Sequence, residues 1–327
     1  MCHSDLSVVN GDRPRPLPML LGHEAAGIVM TIGSEVTDLE VGQRVVTVFL
    51  PRCEECANCR TDGKLPCSAG AESNGAGSLL GGAHRLSRDG VTILHHLGVS
   101  GFATHAVVNR RSVVPVDHDI PPTVAAVLGC AVLTGGGAVL NVGKPTEGQD
   151  IMIVGLGGVG MAALLTAIAV TGSWSDPARI IGVDANPDKL VTAKDLGAME
   201  TYTPAEAEEL GIHADVVIEA AGHPRAFETA VRSTAAGGTT VTVGLPAPGA
   251  MSSIEPLGIT AQARSIVGSY LGSAVPARDI PLYAQLWREG KLPVETLTSS
   301  VITLDELNEA MDELADGRAL RQIVEFT

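Results

Sequence analysis

The sequence predicts an α/β protein in which a doubly wound parallel-sheet module is joined to a β-rich module. Three observations predict it. Residues 1–132 carry short β-type runs, at 26–32, 44–49 and 106–108, cut by Gly, Pro and Asp turns. From about Asp150 the rhythm becomes apolar strand, helix, apolar strand, which specifies a parallel sheet with helices on both faces. A glycine-rich turn, Gly155-Leu156-Gly157-Gly158-Val159-Gly160, joins the first such strand to the first such helix.

The elements of the second module are expected in order: a strand at 151–155, a helix at 158–170 and a strand at 180–184. A helix at 187–196 and strands at 216–220 and 239–244 follow. A last helix begins near Thr303, where Thr303 and Glu306 have capping-box spacing. It would bury Leu304, Leu307, Met311 and Leu314 on one face and stop at Gly317. The expected division is residues 1–132 with 274–327 as one domain and 133–273 as the other.

Composition narrows the function. The chain has 327 residues, 45% hydrophobic and 18% charged, enough for two packed domains. Its 22 basic residues against 37 acidic ones leave a net charge of −15. Such a surface repels phosphate backbones and anionic lipid, so neither nucleic acid nor membrane is an expected partner. The first dozen residues lack the charge and apolar run of a signal peptide, pointing to the cytoplasm. Two uncharged stretches, 120–143 and 151–175, have the hydropathy of a spanning helix. The glycines of the second read instead as a strand turning into a helix. In the first, Pro121, Pro122 and the Gly135-Gly136-Gly137 triplet are poor helix-core material.

The glycine-rich turn has a physical purpose. Gly155 permits a tight turn, Gly157 admits a pyrophosphate against the backbone, and Gly160 lets helix and sheet pack closely, with Gly158 and Val159 opening the helix. Asp184 ends the next strand, 24 residues after Gly160, where an acid binds the adenosine ribose. Its charge repels a 2′-phosphate and favours NAD over NADP. Lys189 offers a further donor to the ribose.

Six cysteines divide by context. Cys53-x2-Cys56-x2-Cys59-x7-Cys67 lies in a polar loop, and four thiolates at that spacing suit a closed, structural zinc site. Cys2 and Cys130 remain, with His23 after an apolar Leu20-Leu21. Two thiolates and an imidazole would leave a fourth zinc position open for substrate, although spacing alone does not pair residues so far apart.

Taken together, CHSD at 2–5, GHEAAGIV at 22–29, the cysteine loop at 53–67, GCAVLTGGGAVLNV at 129–142, GLGGVG at 155–160, GVDANPDK at 182–189 and ALRQIVEF at 319–326 resemble the zinc-containing medium-chain alcohol dehydrogenases over essentially the whole chain. The resemblance implies a Rossmann NAD-binding domain and a GroES-like catalytic domain. It implies that Cys2, His23 and Cys130 hold a catalytic zinc and that Cys53, Cys56, Cys59 and Cys67 hold a structural one. Ser4 then begins a proton relay, Asp5 stands behind His23, and Glu24 assists ligand exchange. His3 and Arg321 face the pyrophosphate, Thr134 lies beside the nicotinamide, and Phe49 walls the pocket for a small alcohol or aldehyde. Family members with an imidazole at the end of the relay place it at Ser7, which passes a proton but is no base near neutral pH. Arg13 and Ala71 depart from the glutathione-dependent formaldehyde branch, and Cys130 from the polyol branch. His95 and His96 match no family ligand and are expected to be loop residues.

Family members carry about forty residues before the Cys2 motif, so either the true start lies upstream or the shortened chain has an exposed core and a frayed zinc ligand. The alternative function is therefore an impaired remnant that binds NAD and one structural zinc, with a zinc-loop protein-binding module behind it. A homodimer or homotetramer joined near residues 265–272 is implied by the same resemblance.

Overall fold

The computed structural model describes residues 1–326. The chain falls into two compact units. One comprises Met1–Cys130, Val275–Arg288 and Val294–Thr327, the other Ala131–Ala274 and Glu289–Pro293.

The first unit is built from short strands. Ala26–Ile28, Arg44–Thr47 and Val113–Val116 form an antiparallel sheet with Arg44–Thr47 at its centre. Met19–Leu20 pairs in parallel with Val91–His95, which pairs with Leu86–Arg88. Near the C-terminus, Thr298–Ile302 lies parallel to Arg321–Val324. The expected strand at 106–108 does not form. Val107 is exposed there, and no neighbour supplies a ladder, so its β propensity goes unused.

The chain's first residues are anchored. The Met1 amino group donates to the Gln322 carbonyl at 2.9 Å. Met1 and Leu6 pack with Ala310, Met311 and Leu314 of the helix Leu307–Ala315. Cys2 caps the helix His3–Val9, and Asp5 accepts the Cys2 N–H at 3.1 Å. The expectation of a frayed ligand and exposed core is thus overturned, because the C-terminal helix and strand cover this segment. Thr303 and Glu306 form the expected capping box, but Leu304 sits in a 3₁₀ turn before the helix and faces solvent.

The second unit holds one six-stranded parallel sheet. Its spatial order is Ser265–Gly268, Thr234–Thr242, Ala214–Glu219, Ile151–Val154, Ile180–Val183, Glu200–Tyr202. The strand order reverses between the first strand in sequence and the fourth, the point where doubly wound sheets bind ligands. Ile151–Val154 and Ile180–Val183 are buried at every position, as central parallel strands covered on both faces should be. Met152, Val154, Ile181, Val183 and Val217 form one apolar cluster.

Residues 120–143 correct a second expectation. Despite its prolines and glycines, Pro122–Gly143 is a continuous helical run, and 83% of its most apolar window is buried inside the protein. Pro122 occupies the first turn, where its missing N–H costs nothing. The glycines are there for contact. A Cβ on Gly135 would lie 2.2 Å from the Val159 carbonyl oxygen, and one on Gly137 2.4 Å from that of Gly272. Backbone-to-backbone packing outweighs the roughly 1 kcal/mol helix penalty of each glycine. Within the run, Leu128–Val132 widens into a π-helical turn that carries Cys130.

Candidate active site and metal centres

Two cysteine centres lie in the first unit. In the loop that follows Arg44–Thr47, Cys53 Sγ and Cys59 Sγ are 3.9 Å apart, and Cys56 Sγ and Cys67 Sγ 4.0 Å. Four thiolates about 2.3 Å from one tetrahedral zinc stand about 3.8 Å from each other, so the spacing fits that ion. Backbone N–H groups turn toward the sulfurs: Cys56 to Cys53 at 3.4 Å, Cys53 to Cys67 at 3.3 Å, and Gly70 to Cys67 at 3.3 Å. Hydrogen bonds from Ser68 pull the Cys56 thiol down to about 5, while desolvation and its neighbours push Cys59 up to about 12. Arg52 ties the loop by donating to the carbonyls of Asn58, Cys59 and Leu65.

The other centre is buried. Cys2, His23 and Cys130 are each 5% exposed or less, and their ligand atoms with a Glu24 oxygen lie within 4.8 Å of one another. Cys130 Sγ is 3.5 Å from His23 Nε2. That suits an imidazole and a thiolate sharing a zinc at about 2.0 and 2.3 Å. A Cβ on Gly129 would lie 2.0 Å from the Thr47 carbonyl oxygen, so the absent side chain is what lets the π turn bring Cys130 in.

Charges around these ligands are arranged for a cation. A hydrogen bond from Cys130 holds the Cys2 thiol well below its usual range, aided by Arg321 and His23 against burial; Cys130 is raised correspondingly. Asp5 resists burial's upward push because His23 and His96 face it, and its carboxyl stays well below the usual range. His23 Nδ1 lies 3.0 Å from Asp5 Oδ1, which leaves Nε2 turned toward Cys130. Burial raises Glu24, whose carboxylate oxygens have no hydrogen-bond partner among the described residues; Arg321 Nε approaches one at 3.4 Å. The Arg321 guanidinium also donates to Cys2 Sγ at 3.6 Å.

The remaining residues of this unit are less engaged. Ser4 is half-buried, and His3 is exposed. Ser7 Oγ donates to the His3 carbonyl at 2.9 Å, one helical turn back. Phe49 packs edge-on to His23, ring centres 5.5 Å apart. Of the two expected loop histidines, His95 instead closes a strand and His96 lies in the bend after it. Both are fully buried where the strand Val91–His95 ends, and His96 Nδ1 lies 3.2 Å from Asp5 Oδ1. Burial lowers the His96 pKa, against the pull of Asp5. The one available signal was a histidine pair directly after the apolar run Val91-Thr92-Ile93-Leu94.

In the second unit the glycine-rich turn follows Ile151–Val154 and opens the helix Gly158–Thr171. Gly155 has φ +92°, a conformation side chains resist, and a Cβ there would meet the Ala221 backbone at 2.6 Å. A Cβ on Gly160 would sit 1.8 Å from the Gly155 carbonyl oxygen. Around Gly157, by contrast, nothing lies within 4 Å of the Cβ position, and no side chain caps the helix there. Open backbone and uncapped N–H groups at a helix start fit a pyrophosphate. Asp184 accepts the N–H of Leu156 at 2.7 Å and of Asn186 at 2.8 Å, which aims the acid along the turn. Val159 and Lys189 are half-buried, and Thr134 is buried.

The alcohol dehydrogenase GroES-like domain model matches residues 1–118, and the zinc-binding dehydrogenase model matches residues 158–288. Alcohol dehydrogenase 2 of Solanum lycopersicum is 34% identical over 338 residues, covering 99% of this chain and 87% of its own. The crystal structure of benzyl alcohol dehydrogenase from Acinetobacter calcoaceticus superposes with a TM-score of 0.90 at 32% identity, covering 100% of this chain and 89% of its own. An alcohol dehydrogenase zinc-binding domain protein from Burkholderia ambifaria gives 0.91 at 29%, again with 100% and 89% coverage.

Proposed function

Because the chain belongs to the zinc-containing alcohol dehydrogenase family, we propose that it oxidises a small alcohol reversibly to its aldehyde or ketone with NAD. The observation that carries this reading is the buried convergence of Cys2, His23 and Cys130, with Asp5 behind the imidazole. Those three residues hold the catalytic zinc, and Cys53, Cys56, Cys59 and Cys67 hold a structural one, two ions per chain.

At the open centre, zinc supplies Lewis-acid chemistry that brings the pKa of an alcohol hydroxyl toward neutrality. Asp5 accepts the Nδ1–H of His23 and so keeps Nε2 bare for the metal. Ser4 would begin the proton relay, releasing its own hydroxyl proton as it accepts that of the alcohol, and because Ser7 is no base near neutral pH, water finishes the transfer. Glu24, whose carboxylate has no hydrogen-bond partner among the described residues, assists ligand exchange. Phe49 contributes an apolar wall beside His23.

The second unit binds the hydride acceptor. Gly155, Gly157, Gly158, Val159 and Gly160 receive the pyrophosphate, and Asp184 and Lys189 the adenosine ribose. The Asp184 carboxylate favours a ribose hydroxyl over a phosphate, which supports NAD rather than NADP. Thr134 borders the nicotinamide, and His3 and Arg321 offer donors for the phosphates.

Six unpaired cysteines suit a reducing cytoplasm. The sheet's edge strand Ser265–Gly268, with Val267 exposed, supports a homodimer or homotetramer joined there. The test is zinc analysis per chain alongside NADH formation over a panel of primary and secondary alcohols. Two zinc ions with turnover are expected; two ions without turnover on any alcohol sink the proposal.

A further inference from the structure

Building on the reading that Cys2, His23 and Cys130 hold zinc, we propose that His96 is a positioning residue for that centre, locking Asp5 and through it the ring of His23.

Asp5 Oδ1 is the meeting point. The Gly22 N–H donates to it at 3.2 Å, His23 Nδ1 stands at 3.0 Å, and His96 Nδ1 at 3.2 Å. Oδ2 takes the Cys2 N–H. An ionised carboxylate offers about four lone-pair sites, two on each oxygen. Three donors on one oxygen crowd it, so the last must approach off the ideal line. His96 is that one: its Nδ1 has no well-aligned hydrogen-bond partner among the described residues. A buried polar atom left in that state is uncommon and asks for a reason.

The backbone around His96 is built to keep it there. Leu97, Gly98 and Ser100 all adopt positive φ, at 52°, 68° and 56°. Two of the three are not glycine, and such strain persists only where the surroundings impose it. The His96 N–H donates to Ser100 Oγ, Gly101 N–H to the Gly22 carbonyl, and Phe102 N–H to the Leu21 carbonyl. The turn is thereby clasped to the segment that carries His23. The two imidazoles meet edge to face, ring centres 5.5 Å apart and planes at 89°.

This arrangement does not make Asp5, His23 and His96 a separate metal site. His23 turns Nδ1 to Asp5 and Nε2 to Cys130, so its metal-binding nitrogen is committed elsewhere. His96 instead restrains the carboxylate at the oxygen that His23 also meets, and the imidazole through the edge-to-face contact. Without it, Asp5 can swing and His23 can rotate, and the ligand geometry loosens.

The test compares His96→Phe, which keeps a ring and removes the donor, with His96→Asn, which returns an N–H near the Nδ1 position. Zinc affinity of the full-length protein is read by competition with a chromophoric chelator, and ligand geometry by the absorption bands after cobalt exchange. His96→Phe should weaken binding of one of the two ions by about 10–100-fold. The other ion stays bound, and His96→Asn recovers to within about threefold of the parent protein. Parent-like affinity and cobalt bands in His96→Phe overturn the proposal. So does a His96→Asn protein as weak as His96→Phe, which would leave packing as the only role. If His96→Phe does not fold, His96→Asn alone decides, and a loss beyond about tenfold counts against the proposal. A parent protein that binds one zinc per chain overturns the underlying ligand assignment instead, and this inference with it.

Discussion

The two cysteine centres are made of the same chemistry and are held together in opposite ways. In the loop, four sulfurs come from residues 53–67, three of them half-exposed, and the nearest backbone N–H groups hold them. In the buried centre the proposed ligands are residues 2, 23 and 130, carried by a helix start, a loop and a π-helical turn. Carboxylates, an arginine and a second histidine surround them. The loop has little apolar core of its own, so its ion should act as a fastener. The buried centre is shaped by the rest of its unit, which packs around it.

The sharpest test of this contrast is to remove one ligand from each. Cys130→Ser should lower kcat/KM by more than the roughly 100-fold that loss of an outer hydrogen-bond partner costs, with the thermal midpoint within a few degrees. Cys53→Ser should do the reverse, lowering the thermal midpoint strongly as zinc content falls from two ions to one. Calorimetry and metal analysis of both proteins check it, and equal destabilisation by the two would erase the distinction. Next in size is Asp5→Asn. It should weaken zinc binding at the buried centre about 10–100-fold and leave the loop ion in place, read by chelator competition.

Gly70→Ala sharpens the other side. A Cβ there would lie 2.4 Å from the Pro51 carbonyl oxygen, so the helix that begins at Cys67 must shift. Faster zinc release from the loop is expected, with the buried ion unaffected. The smallest effect belongs to Arg52→Gln, which removes three hydrogen bonds to loop carbonyls at a partly exposed site. About 1–2 kcal/mol of stability should be lost in denaturant titration, with kcat unchanged.

Legibility followed the same division. The loop cysteines and the glycine-rich turn were readable because their residues act at short spacing, where local geometry is most of the answer. Pro122–Gly143 was misread since its glycines serve contacts with Val159 and Gly272, which helix propensity does not contain. Residues 106–108 have strand character but find no partner ladder. His96 was set aside because its relation to Asp5 spans most of the first unit's sequence and leaves no spacing to recognise.

By itself, then, the sequence determined the alternation that makes a parallel sheet, the glycine-rich turn at its first strand, the four-cysteine loop and the family to which these belong. Only the tertiary structure decided that Cys2 is buried rather than frayed, that Cys130 faces His23 across a π turn, and that a second histidine shares Asp5. Short-range features follow from backbone preference and the reach of a few residues. A site drawn from distant segments exists only once packing has set their backbones within ångströms of each other.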